Sequence, residues 1–123
     1  MYTFDTNTVI YYLDLEKDAF PVIKSIFSRG GIAFVPTIVE VELFSFKGLD
    51  DSDRNKIEGF LSEVFVINLD SKISRIAADI RCTTNIKTVD SVIAATAIYT
   101  KSTLVTRNVR DFKNIPNLQI QKI

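Results

Sequence analysis

The sequence contains no histidine among its 123 residues. Without an imidazole, the protein cannot use Ser-His-Asp or Cys-His nucleophilic catalysis, histidine acid–base chemistry or the usual zinc ligand sets. A metal ion in this protein would therefore be held mostly by oxygen atoms. Oxygen ligands favour Mg²⁺ or Mn²⁺, which prefer carboxylates and water.

Cysteine and long apolar runs are also scarce. The single cysteine, Cys82, cannot form an internal disulfide, and we interpret it as a small buried hydrophobic residue of a protein kept in a reducing compartment. No apolar run approaches the roughly 20 residues that a membrane helix needs, and no basic leader precedes an apolar signal core. We therefore expect no membrane association and a cytoplasmic location.

Hydrophobic residues make up 46% of the chain, enough for a sizeable core, and no linker, repeat or low-complexity segment interrupts it. We predict one domain over residues 1–123. The net charge is zero, but residues 1–70 hold 12 of the 15 acids and only 6 of the 15 bases. The basic second part of the chain weakly favours a phosphate-bearing partner.

Short β-rich runs alternate with segments of helical period along the chain. The runs predict strands at residues 2–4, 32–35, 64–67 and 103–105, with a weaker fifth at 118–120. Helices are predicted over residues 21–28, 37–46, 51–61 and 71–81, and a very apolar one begins at Thr88. This alternation predicts an α/β domain with a mostly parallel central sheet of four to five strands, covered by helices on both faces.

Two acids follow predicted strands, at the sheet edge where ligands gather in such folds. Asp5 comes directly after the first strand, where it serves either as a turn or helix N-cap residue or as a ligand. Asp111 lies in the polar loop that leaves the fourth strand. It either forms an ion pair with Arg107 or Arg110, or leaves these arginines free to bind a phosphate.

Two further acids lie on helices. Glu42 shares a helical face with apolar neighbours and has no Lys or Arg on its helix before Lys47, so it either bends to water or requires an external partner. Glu40, two positions away, points elsewhere. Asp90 lies near the start of the apolar helix, where it caps the helix or, if Thr88 is the cap, faces the cleft. Acids that converge without matching bases repel one another, and a divalent cation is the simplest remedy.

Four segments, FDTNTVI, VEVEL, TVDSVIAATAI and TLVTRNVRDF, resemble the motifs of the PIN-domain ribonucleases, and within them the VapC-like toxins of prokaryotic toxin–antitoxin pairs. The similarity covers nearly the whole chain. It implies an acidic metal site formed by Asp5, Glu42, Asp90 and Asp111, supported by Thr6 and Asn108, with Glu40 as the competing second acid. Pro36 departs from the small or hydroxyl residue that is more usual in the family at that position.

The resemblance implies a Mg²⁺- or Mn²⁺-dependent endoribonuclease, a cognate antitoxin that occupies its groove, and a homodimer. In such an enzyme the ion acidifies a water molecule for in-line attack on an RNA phosphodiester. Four basic residues are candidates for contacts with the RNA backbone: Arg107, Arg110, Lys87 and Lys113.

Two alternatives share the arrangement of an acid after a strand. Haloacid-dehalogenase-type phosphatases begin with Asp-x-Asp-x-Thr, but here Asn7 stands where the second Asp is needed. A response-regulator receiver, a signalling module, requires a phosphoacceptor Asp at the end of its third strand. Asp70 is a poor candidate for that role, because the paired early acids of a receiver are missing.

Overall fold

Strands and helices alternate along the chain in the computed structural model, which describes all of residues 1–123. The elements in chain order are β1 (Tyr2–Phe4), α1 (Thr6–Leu13), α2 (Ala19–Ser28), β2 (Ala33–Pro36), α3 (Thr37–Phe44), α4 (Asp51–Glu63), β3 (Phe65–Ile67), α5 (Ser71–Thr83), α6 (Thr88–Tyr99), β4 (Thr103–Thr106), α7 (Val109–Phe112) and β5 (Ile120–Lys122).

The five strands form one sheet in the order β3-β2-β1-β4-β5, and every neighbouring pair is parallel. Crossovers between parallel strands are right-handed in nearly all proteins, so α1 to α4 cover one face of the sheet and α5 and α6 cover the other. The predicted α/β class, with helices on both faces, is confirmed. The chain runs outward in one direction from β1 and in the other from β4, so the carboxyl ends of these two strands border a topological switch point, where ligands bind in such sheets.

The core has an aromatic side and an aliphatic side. On the first, the Phe4 ring of β1 lies 6.0 Å from the Phe27 ring and 6.4 Å from the Phe60 ring, and Tyr12 contacts the last two. On the other side, α6 is buried without interruption from Ser91 to Ala97. The apolar helix of the sequence is therefore central to the core.

Several predicted boundaries are wrong for identifiable reasons. Helix α2 begins at Ala19 rather than Pro21, because the Glu16 carboxylate accepts hydrogen bonds from the N–H groups of Asp18 and Ala19 and so caps an earlier turn. The polar loop after β4 contains the short helix α7, which includes Asp111. The fifth strand lies two residues later than predicted.

Two interpretations of single residues are also corrected. Cys82 is exposed on α5 rather than buried. Asp70 is exposed and caps α5 by accepting a hydrogen bond from the Ile73 N–H at 2.9 Å. It follows an edge strand of the sheet, whereas a receiver has the strand order 2-1-3-4-5 and its site at the switch point, so the receiver alternative does not fit this topology. No helix has the length and apolar character needed to cross a membrane, and the expected cytoplasmic location stays a prediction.

Candidate active site

Asp5 lies at the end of β1 and is only 7% exposed. One of its carboxylate oxygens accepts a hydrogen bond from the Thr8 N–H at 2.7 Å, which makes Asp5 the N-cap of α1. The other oxygen accepts a hydrogen bond from the Thr106 hydroxyl at 2.5 Å. The carboxylate is thus held by the helix that follows it and by the neighbouring strand, and the N-cap role does not prevent it from lining a cleft.

Thr106 is a site residue that the sequence analysis missed. Its hydroxyl donates to Asp5 and accepts a hydrogen bond from the Asn108 N–H at 3.0 Å, so it joins β1 to the loop after β4. The register pairs Phe4 with Val105, which places Thr106 beside Asp5. The sequence does show a hydroxyl residue directly after the apolar part of the fourth strand. This residue points to the site only if β1 and β4 are known to be neighbours, and the sequence does not show that pairing.

Glu42 lies on α3 and is half-buried, and its carboxylate accepts a hydrogen bond from the Thr6 hydroxyl at 2.5 Å. The expected buried apolar stripe around Glu42 is only partly present, because Phe46 is 55% exposed. Glu42 therefore lies at the margin of the core and reaches the cleft with Thr6 as its donor. Glu40 does not line the cleft that Asp5 and Glu42 share.

Asp90 belongs to the first turn of α6, where Lys87 is the N-cap residue and no side chain caps the helix. Neither alternative for the cap is confirmed, since Thr88 and Asp90 both lie inside the helix. Burial raises the pKa of the Asp90 carboxyl, and the negative charges of Asp111, Asp5 and Glu42 raise it further, while Lys87 alone lowers it. Asp90 lines the same cleft as Asp5, Glu42 and Asp111, so it faces the cleft.

Asp111 lies on α7, where one of its oxygens accepts a hydrogen bond from the Asn108 side-chain amide at 2.6 Å. The predicted ion pair with Arg107 is absent, because Arg107 binds Glu16 at 2.9 Å instead. The Arg110 guanidinium lies 3.9 Å from Asp111 and its side chain is 90% exposed, so this contact neutralises little charge.

The four acids come from four different elements and line one cleft of about 640 Å³ at the carboxyl edge of the sheet. We call it the acid cleft. Lys87 is the only cation that lines it, and apolar residues form part of its wall. Its polar and charged lining residues are Asp5, Thr6, Asn7, Glu42, Ser45, Lys87, Asp90, Asn108 and Asp111.

The residues of the acid cleft fit a hard divalent cation by their chemistry. Carboxylate, hydroxyl and amide oxygens are the ligands that Mg²⁺ and Mn²⁺ prefer, and burial together with the charges of the neighbouring acids raises the pKa of Asp90. The side chains as they stand do not form a group of three or more that could hold an ion. Metal binding by Asp5, Glu42, Asp90 and Asp111 stays a prediction.

The predicted RNA-binding residues lie in different surroundings. Lys87 lines the acid cleft, and Arg110 lies on a neighbouring cleft. Lys113 is exposed and lines neither. Arg107 forms an ion pair with Glu16, and its guanidinium also lies 4.2 Å from the centre of the Tyr11 ring. An RNA contact by Arg107 would require this arrangement to open.

The PIN domain family model matches residues 2–118, and the chain therefore belongs to the PIN domain family. Its curated relatives are VapC proteins. The chain is 27% identical over 129 residues to Ribonuclease VapC2 of Rickettsia felis, which covers 98% of this chain and 96% of the relative. It is 30% identical over 120 residues to Ribonuclease VapC19 of Mycobacterium tuberculosis, with 94% of each protein covered.

Solved structures support the same grouping. The VapBC2 structure from Rickettsia felis, bound to a DNA fragment from the promoter, matches with a TM-score of 0.84 and 26% identity, over 99% of this chain and 98% of that one. VapBC-1 from nontypeable Haemophilus influenzae matches with a TM-score of 0.82 and 25% identity, over 98% and 96%. The chain is VapC-like in sequence and fold.

Proposed function

We propose that this protein is an endoribonuclease that hydrolyses RNA phosphodiesters with the help of Mg²⁺ or Mn²⁺. The observation that carries the proposal is the convergence of Asp5, Glu42, Asp90 and Asp111 on one cleft that a single lysine lines. Membership in the PIN domain family and similarity to Ribonuclease VapC2 support RNA as the substrate. The two alternatives, a receiver and a phosphatase, gain no support from these relationships.

The roles of the residues follow from their contacts. Asp5, Glu42, Asp90 and Asp111 would hold Mg²⁺ or Mn²⁺, which would supply a Lewis acid for activating a water molecule and offsetting charge on the scissile phosphate. Asp5 would be the most firmly placed ligand, because two donors hold its carboxylate. Thr6 orients Glu42 and Asn108 orients Asp111. Lys87, the cation of the cleft, is placed to attract the RNA backbone.

We further propose that the protein is the toxin of a toxin–antitoxin pair and forms a homodimer. VapC relatives from Rickettsia felis and Haemophilus influenzae were crystallised as VapBC assemblies, which supports an antitoxin partner. An antitoxin that occupies the acid cleft would need to bring positive charge, because the cleft has an excess of acids.

The test is a nuclease assay with single-stranded RNAs of varied sequence in Mg²⁺, in Mn²⁺ and with a chelator. We expect cleavage that depends on the ion and stops with the chelator. The protein should also melt at a higher temperature in Mn²⁺, because an ion that binds only the folded state stabilises it. Failure of every RNA to be cut, together with no Mn²⁺ or Mg²⁺ binding by calorimetry, would overturn the proposal.

A further inference from the structure

A second cleft adjoins the acid cleft and has a different composition. It lies between the α5–α6 loop and α7, encloses about 610 Å³ and has Ile86 as its only hydrophobic lining residue. We call it the side cleft. Asp90, Asp111 and Lys87 line both clefts, so the two share a wall. The other polar residues of the side cleft used below are Asn85, Arg110 and Asn114.

The α5–α6 loop is held by hydrogen bonds that do not involve the side chains of Asn85 and Lys87. The Thr84 hydroxyl donates to the Ile80 carbonyl at 2.7 Å, and the Arg81 Nε donates to the Ile86 carbonyl at 3.3 Å. These two bonds hold the backbone on either side of Asn85 and Lys87. The loop therefore presents both side chains from a fixed support.

Four donors of the side cleft are left without a close partner in the protein. The exposed side chains of Asn85, Asn114 and Lys87 make no hydrogen bond or ion pair within the chain and are open to solvent, and the exposed Arg110 has only its 3.9 Å contact with Asp111. By contrast, Asn108, an asparagine of the same region, is bound to Asp111 at 2.6 Å. The free amides can both donate and accept hydrogen bonds, as the polar edge of a nucleobase requires.

Charge separates the two clefts. The acid cleft has four carboxylates and one cation, whereas the side cleft has two carboxylates and two cations. A polyanion meets less repulsion in the side cleft, and Lys87 and Arg110 can each contact a phosphate. The volume lies within the roughly 300–1,000 Å³ typical of small-molecule sites.

We propose that the side cleft is a nucleotide subsite, in which the RNA nucleotide next to the cleavage point is bound and its base is read. Lys87 and Arg110 hold its phosphate, and Asn85 and Asn114 hydrogen-bond to its base. The inference rests on the proposed ribonuclease function. It adds a reason for sequence preference, because the two amides can distinguish one base from another.

The test separates base reading from phosphate binding. Cleavage of a randomised single-stranded RNA pool in Mn²⁺, followed by sequencing of the ends, gives the base preference at each position around the cut. We expect Asn85→Ala and Asn114→Ala to reduce the preference at one neighbouring position by about threefold to tenfold, the range for a lost neutral hydrogen bond. Asn55→Ala, an exposed asparagine on α4, is the matched control and should leave the preference unchanged.

The cation variants should behave differently. Lys87→Ala and Arg110→Ala should raise KM for all sequences alike and lower the salt dependence of kcat/KM by about one counterion each, since phosphates carry no sequence information. Lys72→Ala, on the first turn of α5 and outside both clefts, is the charge control.

Three outcomes decide the matter. An altered base preference in the asparagine variants, with an altered salt dependence in the cation variants, supports the subsite. RNA cleavage with the same preference in the wild type, Asn85→Ala and Asn114→Ala, or with no preference next to the cut, overturns the subsite and leaves the ribonuclease function intact. If the wild-type protein cuts no RNA, the subsite proposal fails, and the ribonuclease proposal fails with it when calorimetry also shows no Mn²⁺ or Mg²⁺ binding.

Discussion

The Glu16 carboxylate and the carboxylates of the acid cleft lie near the loop that follows β4, and their surroundings are opposite. Glu16 accepts hydrogen bonds from the Ala19 and Asp18 N–H groups and from Arg107. The backbone hydrogen bond from Ala19 is the largest cause of its lowered pKa, and Arg107 lowers it further. Asp90 has its pKa raised by burial and by three other acids.

The difference separates acids that hold the fold together from acids that are free to bind something else. Glu16 has donors from its own chain and joins α1, α2 and the loop after β4, so it needs no external partner. The acid cleft leaves negative charge uncompensated, which costs stability and is typical of functional sites. Four predictions test this contrast, in order of decreasing effect.

The largest effect is expected from Asp5→Asn. Asparagine also caps helices well, so the fold should persist, but a neutral amide binds a hard cation more weakly than a carboxylate. We expect RNA cleavage to fall by at least about 100-fold. Mutation of a residue that only hydrogen-bonds to a metal ligand already lowers metal affinity or activity by about 10–100-fold. Glu16→Gln, which changes an acid outside the acid cleft, is the matched control and should keep the cleavage rate within about threefold of the wild-type rate. Equal losses of cleavage in Asp5→Asn and Glu16→Gln would remove the distinction between Glu16 and the acids of the acid cleft.

Glu42 and Glu40 provide a comparison within one helix. Glu42 lines the acid cleft and Glu40 does not. Glu42→Gln should lower kcat/KM by about 100-fold, and Glu40→Gln should change it by less than about threefold. Circular dichroism should show both variants folded. A greater loss in Glu40→Gln would contradict the assignment of the second acid.

Variants of Thr106 test whether RNA cleavage depends on the hydroxyl that holds the Asp5 carboxylate in place. Thr106→Val keeps the shape but removes the donor to Asp5 and the acceptor for the Asn108 N–H. We expect cleavage to fall by about 10–100-fold, the usual range for a partner of a metal ligand, and Thr106→Ser to restore most of it. Weaker Mn²⁺ binding by calorimetry in Thr106→Val alone would show that the effect passes through Asp5. Unchanged cleavage and Mn²⁺ affinity in Thr106→Val would contradict this role.

The smallest effects are expected in stability, and their pH dependence should have opposite signs. The pKa of Asp90 is raised, so its ionised form destabilises the fold above that pKa, and the penalty fades as the pH falls towards the ordinary value of 3.8. With a chelator present, Asp90→Asn should melt at a higher temperature than wild type at pH 7.5, and the gain should shrink by pH 4.5.

Glu16 should show the reverse. Its lowered pKa means that the ionised form stabilises the fold above the ordinary value of 4.5, and that this contribution is lost as the pH falls through the lowered pKa. Glu16→Gln should therefore melt at a lower temperature than wild type at pH 7.5, and the difference should vanish in acid. Thermal melts of both variants across this pH range provide the check. A loss of stability in Asp90→Asn at pH 7.5 would show that its charge is already compensated.

Much of the architecture follows from local patterns. The alternation of β-rich runs and helical periods predicts the parallel sheet, and the very apolar segment that begins at Thr88 predicts the central helix α6. The first strand is confirmed at Tyr2–Phe4, while the boundaries of other elements moved by one to a few residues. Boundaries depend on caps such as the Glu16 carboxylate at α2, whose geometry a pattern of hydrophobic residues does not contain.

The sequence by itself determined the chemical character of the candidate site: no imidazole, acids after two strands and in a helical first turn, and Glu42 on a helix that has no base before Lys47. Only the tertiary structure decided which acids meet, that the distant Thr106 hydroxyl holds Asp5 in addition to the Thr8 N–H, and that Arg107 binds Glu16 rather than Asp111. The physical reason is distance along the chain. Thr106 and Asp5 are 101 residues apart, and the hydrogen bond of 2.5 Å between them exists only because β1 and β4 pair in one register. Local propensity acts over a few residues, whereas the partner of a buried charge is set by the order of strands in the sheet.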